Sequence, residues 1–253
     1  MTYNIRYNNP GDGVNAWPNR RDRLAALVRF QAPDVVGFQE ALRGQIDDLA
    51  ERLPGYEWVG VGRDDGADGG EFSPVFYRSD RVELLDHGTF WLSDAPDEVG
   101  SVGWDAALPR VATWVRISVD DQEYVVVNTH FDHVGEQARR NSAELIVARA
   151  AALASGAPVI VLGDFNAAPD SISYATLADA LSDAREVASD AYGPEETFFG
   201  FAVADTVGRR IDHVFVDARL SVSHVAVLTE HIRGRYLSDH LPVVADILTR
   251  RSR

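Results

Sequence analysis

Residues 159–166 read Val-Ile-Val-Leu-Gly-Asp-Phe-Asn, an apolar run followed by a glycine and two short polar side chains. The run is too short for a helix, is mostly β-branched and carries no polar face. It therefore reads as a strand buried on both sides. Gly163 permits a sharp bend, and Asp164 and Asn166 are left at the C-terminal end of the strand, where α/β sheets carry their sites. Outward from this segment the same pattern recurs. Strands are expected over 3–5, 35–39, 56–61, 75–77, 82–89, 113–119, 124–129, 211–216, 221–227 and 243–248. Helical periodicity appears at 20–30, 43–53, 136–154 and about 174–181. Strands outnumber helices and several neighbours are close enough for hairpins, so an α/β (α+β) fold with mixed sheets is expected. No linker or repeat divides the chain, so residues 1–253 read as one domain.

Composition narrows the chemistry. The 253 residues carry 24 basic and 39 acidic side chains, a formal charge of −15; every basic one is arginine, and there is no cysteine. Schiff-base and P-loop lysines, thiol nucleophiles, disulfides and thiolate metal sites are thereby excluded. Carboxylates, histidines, amides, hydroxyls and arginines remain. The charge has two readings: it repels a polyanion, or it marks a surface adapted to high salt, where screening leaves net charge little say over partners. The aspartate excess and arginine-only basic set fit the second, halophilic reading. No apolar stretch is long enough for a membrane span, and no basic segment precedes an apolar one at the start, so a soluble, cytoplasmic protein is expected. The segment Gly62–Gly70 (GRDDGADGG) matches neither a calcium loop nor a dinucleotide fingerprint and reads as a mobile, solvated acidic loop.

Polar residues cluster at expected strand ends. Asn4 lies in TYNIRY (2–7), and Glu40 ends VVGFQE (35–40). Asn128 and His130 end VVVNTH (125–130), and Asp212 lies in RRIDHVFV (209–216). Asp239 and His240 precede LPVVADI. Singly, each is explained as a cap, a turn or a hydrogen-bonded structural residue. Together they would satisfy one another as a site, because a buried polar group without a partner costs about 1–3 kcal/mol.

With GDFN (163–166) and SDH (238–240) in this order, the chain resembles the endonuclease/exonuclease/phosphatase superfamily from TYNIRY to SDHLPV. The resemblance implies a four-layer sandwich: two mixed β-sheets face to face with helices outside. It implies a Mg²⁺-dependent phosphoesterase, with Mn²⁺ able to substitute. By the same resemblance Glu40 is the principal metal ligand, Asn4 supports the metal region and Asp239 is a metal-side carboxylate. Asp164 orients or deprotonates the attacking water, with Asn166 beside it. His240 contacts the scissile phosphate and is oriented by Asp212. His130 is a second active-site histidine, and Glu71 falls where the deoxyribonuclease branch pairs that histidine with a glutamate. Arg110, Arg6, Asn128 and Tyr77 fall on the substrate or phosphate side; Asp105 and Asp132 either line the substrate pocket or are loop carboxylates that cap turns.

Having no lysine costs this chemistry nothing, because arginine binds phosphate in bidentate fashion. A nuclease-type phosphodiesterase is the first expectation, and the partner is a phosphate ester, nucleic acid included. Sugar, inositol or nucleotide phosphates are the alternative substrates, and a catalytically silent binding protein is the alternative of another class. GGEFSP (69–74), GWD (103–105) and NTHFDH (128–133) resemble a prokaryotic subgroup, and no basic, aromatic-interleaved insertion of the kind that grips a duplex is present.

Overall fold

The fold was obtained as a computed structural model, which describes residues 1–202 and 208–249; residues 203–207 and 250–253 of the expected 1–253 domain lie outside the described residues. In chain order the strands are β1 (Thr2–Asn4), β2 (Val35–Gln39), β3 (Tyr56–Val59), β4 (Val75–Arg78), β5 (Glu83–Trp91), β6 (Val111–Val119), β7 (Gln122–His130), β8 (Val159–Asp164), β9 (Ser182–Asp183), β10 (Asp190–Tyr192), β11 (Asp212–Val216), β12 (Leu220–Val227), β13 (His231–Ile232), β14 (Arg235–Tyr236) and β15 (Val243–Thr249). The helices are α1 (Arg21–Gln31), α2 (Arg43–Arg52), α3 (Glu136–Ala154), α4 (Ile172–Ala180) and α5 (Ala184–Val187).

Two mixed sheets form the centre. One runs β10-β12-β15-β1-β2-β4-β3 and the other β5-β6-β7-β8-β11-β9. The pairs β1/β2, β10/β12 and β7/β8 are parallel, and the other pairs within these sheets are antiparallel. Strand alternation builds the layers. On β7, Val125 and Val127 point outward to the aliphatic stripe of α3, while Val126 points inward to the opposing sheet. On β2, Val36 and Phe38 join Leu24, Val28, Ile46 and Leu49 of α1 and α2. Three apolar layers therefore separate four layers of secondary structure, as expected.

The expected elements are all present with ends displaced by up to two residues. The short elements β9, α5, β10, β13 and β14, and the 3₁₀ turns at 10–15 and 17–19, carry too few residues to show a periodicity.

The inner faces approach closely at one point. A Cβ at Gly37 on β2 would fall 2.1 Å from Leu162 Cδ1 and 2.5 Å from Asn128 Oδ1. The space is filled by a polar link: Gln39 Nε2 donates to Asn128 Oδ1 at 2.6 Å, and Asn128 Nδ2 donates to the carbonyls of Phe38 and Pro74, both at 2.8 Å. Asn128 thus joins β7 to the opposite sheet. It does not reach the phosphate side of the site, because the pleat points it into the gap two residues below His130.

Candidate active site

Three neighbouring strands put three titratable side chains in one row. His130 pairs with Asp164 across β7/β8, and Asp164 pairs with Asp212 across β8/β11. Each stands one pleat beyond an inward-facing residue of its strand, namely Asn128, Leu162 and Val214, so all three emerge at the top of the gap between the sheets. The opposing sheet supplies Asn4 and Glu40. Glu40 would point outward by strand alternation, but it adopts φ +61°. This left-handed turn, uncommon for a side-chain-bearing residue, brings its carboxylate back to accept from Asn4 Nδ2 at 3.0 Å and from Tyr7 N at 3.0 Å. Arg6 (φ +56°) and Asn166 (φ +46°) make similar turns at their strand ends.

Asn4 joins the two halves, since its Nδ2 also donates to Asp164 Oδ2 at 2.9 Å. The backbone N–H of Asn166 donates to Asp164 Oδ1 at 2.9 Å. Around Asp164 stand His130 Nε2 at 3.4 Å and His240 Nε2 at 3.7 Å, and His240 Nδ1 lies 2.8 Å from Asp212 Oδ2. Burial and the charge of Asp212 push the Asp164 carboxyl up to about 7. Burial alone would lower His240, but Asp212 and Asp164 outweigh it and push the imidazole up to about 10. His130 goes the other way, well below its ordinary value, through burial and the nearby Arg110 guanidinium. One histidine is thus kept charged and the other neutral, on opposite sides of one carboxylate.

A cleft of about 590 Å³ opens over this floor, lined by Arg6, Glu40, Glu71, Arg110, His130, Asp164, Asn166, Asp239 and His240 among others. Within it Glu40 and Asp239 face a shared cation: Arg6 Nη1 lies 4.0 Å from Glu40 and its Nε 3.9 Å from Asp239. Arg6 is held there by Asp12, to which Nε donates at 3.2 Å and Nη2 at 3.3 Å. Burial raises the Asp239 carboxyl, with the Glu40 charge adding to the rise. Two hard oxygen donors that already share a positive group suit a divalent cation. Ligand atoms of Asp164, Asp212 and His240 also lie within 4.8 Å of one another, but a His240 ring held protonated by Asp212 has no lone pair for a metal.

Several expectations require correction. Glu71 lines the cleft but does not pair with His130: its Oε2 accepts from Arg63 Nη1 at 2.6 Å, and His130 Nδ1 has no hydrogen-bond partner among the described residues. Arg110 lines the cleft but is 5% exposed and partly committed: it donates through Nε to Asp132 at 3.4 Å and through Nη2 to His133 Nδ1 at 2.9 Å, which leaves Nη1 as its guanidinium nitrogen without a partner among the described residues. Asp105 does not line the cleft; it accepts from the N–H groups of Gln137 and Ala138 and closes the N-terminus of α3. Asp132 is likewise engaged by the N–H groups of Val134 and Gly135. Tyr77 lies between the sheets with its hydroxyl donating to Glu57 at 3.0 Å.

Other residues of the site escaped the sequence reading. Arg63, in the segment read as a solvated loop, is 8% exposed. Arg20 is buried behind the cleft and donates to the carbonyls of Ile5, Arg6, Asn15 and Leu237, fixing the chain that carries Arg6 and Asp239. Phe198 lies against His240, ring centroids 4.7 Å apart, and Arg209 lies on the cleft wall. Only His133 had a signal, its place in NTHFDH.

The model of the Endonuclease/Exonuclease/phosphatase family matches residues 1–240, and the chain belongs to that family of phosphoester hydrolases. It is similar to a family member from Bacteroides vulgatus, with TM-score 0.94 and 41% identity over 98% of this chain and 97% of that one. It is equally similar in fold to a mannosyl-6-phosphatase from Bacteroides thetaiotaomicron, with TM-score 0.94 and 37% identity over 98% of both chains. Uncharacterized protein L388 of Acanthamoeba polyphaga mimivirus is 28% identical over 251 residues, 91% of this chain and 92% of that protein. Among the described residues no helix is long and apolar enough to cross a membrane.

Proposed function

We propose that this protein hydrolyses small phosphate monoesters of the sugar-phosphate class, with Mg²⁺ or Mn²⁺ held by Glu40 and Asp239 and positioned through Asn4. The observation that carries the reading is the row His130–Asp164–Asp212 facing the Glu40/Asp239 pair across the cleft floor. The ion would supply charge neutralisation for the phosphoryl oxygens. Asp164, buried among these groups, orients a water for in-line attack on phosphorus and accepts its proton, while the P–O ester bond on the far side breaks and the alcohol leaves with a proton taken up from solvent. His240, kept charged by Asp212, donates through Nε2 to a phosphoryl oxygen. Asn166 Nδ2 donates to Phe131 O at 3.0 Å and lies 3.1 Å from His130 Nε2, so it steadies the neutral histidine on the other side.

The choice of small esters over polynucleotides draws on two further points. A solved relative 37% identical over nearly the whole chain is a mannosyl-6-phosphatase. The sequence also carries no basic, aromatic-interleaved insertion of the kind that grips a duplex. The test is hydrolysis of hexose phosphates, nucleotides, inositol phosphates, bis-p-nitrophenyl phosphate, DNA and RNA, with Mg²⁺, with Mn²⁺ and with chelator. Metal-dependent release of phosphate from hexose phosphates is the expected result, and cleavage confined to the diesters and nucleic acids would overturn it.

A further inference from the structure

We infer that His133 is a specificity residue, a fixed donor that recognises a hydroxyl oxygen on the alcohol portion of the substrate. The inference rests on the sugar-phosphate reading above and concerns the outer part of the same cleft.

The geometry dictates which ring nitrogen carries the hydrogen. Arg110 Nη2 lies 2.9 Å from His133 Nδ1. A guanidinium only donates, so Nδ1 must offer its lone pair and the ring hydrogen sits on Nε2. His133 lines the cleft and is exposed, and its Nε2 has no hydrogen-bond partner among the described residues. The orientation is imposed from behind. Arg110 is buried and held by Asp132, and Asp132 is fixed by the N–H groups of Val134 and Gly135. An exposed imidazole on a loop would ordinarily rotate freely. Here it stands at the end of a chain of contacts, Asp132 to Arg110 to Nδ1, that selects both its direction and its tautomer.

The surroundings indicate what it meets. The cleft that His133 lines also carries the apolar side chains of Leu108, Phe198 and Ile211 beside its polar groups. That mixture suits a small molecule with carbon faces and hydroxyl groups. With Nδ1 accepting from the Arg110 guanidinium, the ring presents its one N–H, at Nε2, to the cleft. One N–H donor matches a lone pair of a hydroxyl oxygen.

The test compares kcat/KM for a hexose 6-phosphate and for p-nitrophenyl phosphate, whose leaving group has no hydroxyl substituent. In His133→Phe the ratio of the two is expected to fall about tenfold, mainly through KM for the sugar ester. His133→Gln, which restores an N–H donor, should recover most of the ratio. An unchanged ratio in His133→Phe, or a phenylalanine and a glutamine variant that behave alike, would overturn the assignment. Wild-type protein inactive on both esters would overturn the sugar-phosphate reading, and the role of His133 with it.

Discussion

His240 and Asp212 are joined at 2.8 Å between Nδ1 and Oδ2, and both lie in the buried floor of the cleft. The pair makes the metal-free protein sensitive to alkali. His240 is pushed up to about 10 from an ordinary value of 6.5, so between these limits the folded state holds a proton that the unfolded chain has released. The stabilisation is complete below about pH 6.5 and is lost as pH rises toward 10. In metal-free protein the melting temperature is expected to fall across this window. Asp212→Asn removes the partner and should flatten the dependence; an unchanged slope in scans at several pH values would contradict the pairing.

Asp164 adds a loss of the same sign over a lower pH window. Its carboxyl is pushed up to about 7 by burial and by Asp212, so ionising it costs folding energy that appears as pH rises from about 4 to 7. Asp164→Asn should raise the melting temperature of the metal-free protein at pH 8 while lowering kcat at least about 100-fold. Calorimetric scans and steady-state rates check both halves.

Glu40→Gln keeps an oxygen in place but removes a charge from the Glu40/Asp239 pair. Affinity for Mg²⁺ is expected to fall at least about tenfold, measured by titration calorimetry. Unaltered binding would move the ion elsewhere.

Asp105 serves α3 rather than the substrate. Asp105→Asn should cost about 0.3–1 kcal/mol in denaturant unfolding, the usual value of a carboxylate at a helix N-terminus. The kcat and KM should not change.

Gly37→Ala tests the contact between the sheets. The added methyl meets Leu162 and Asn128 inside van der Waals distance, and overpacking of this kind costs about 1–3 kcal/mol. Urea denaturation measures it.

The sequence made the strand ends readable because an apolar run fixes the pleat and the pleat fixes which way the terminal residue points. Asp164, Asp212 and His130 were marked as polar residues at the ends of such runs, and their roles came from the family resemblance. The layer order and the place of Glu40 needed the family resemblance as well, since periodicity assigns Glu40 to the wrong face and only its left-handed turn corrects this. Asn128 was misread because alternation shows that a side chain points inward but not what stands opposite. Glu71 was misread for a similar reason. Its partner Arg63 lies in a segment rich in glycine and aspartate, and nothing in that composition shows that one arginine folds inward. Arg20 begins a helix like any surface residue, and the four carbonyls it gathers come from distant parts of the chain.

The two halves of the site belong to different sheets, Asn4 and Glu40 on one and His130, Asp164 and Asp212 on the other. Their separation is therefore the thickness of the sandwich at its upper rim, set by Gly37, Leu162 and the Asn128 link beneath. Activity in this architecture is a gauge of interlayer spacing. Substitutions in the apolar filling, remote from any substrate, would retune the catalytic distances as a shim resets the gap between two plates.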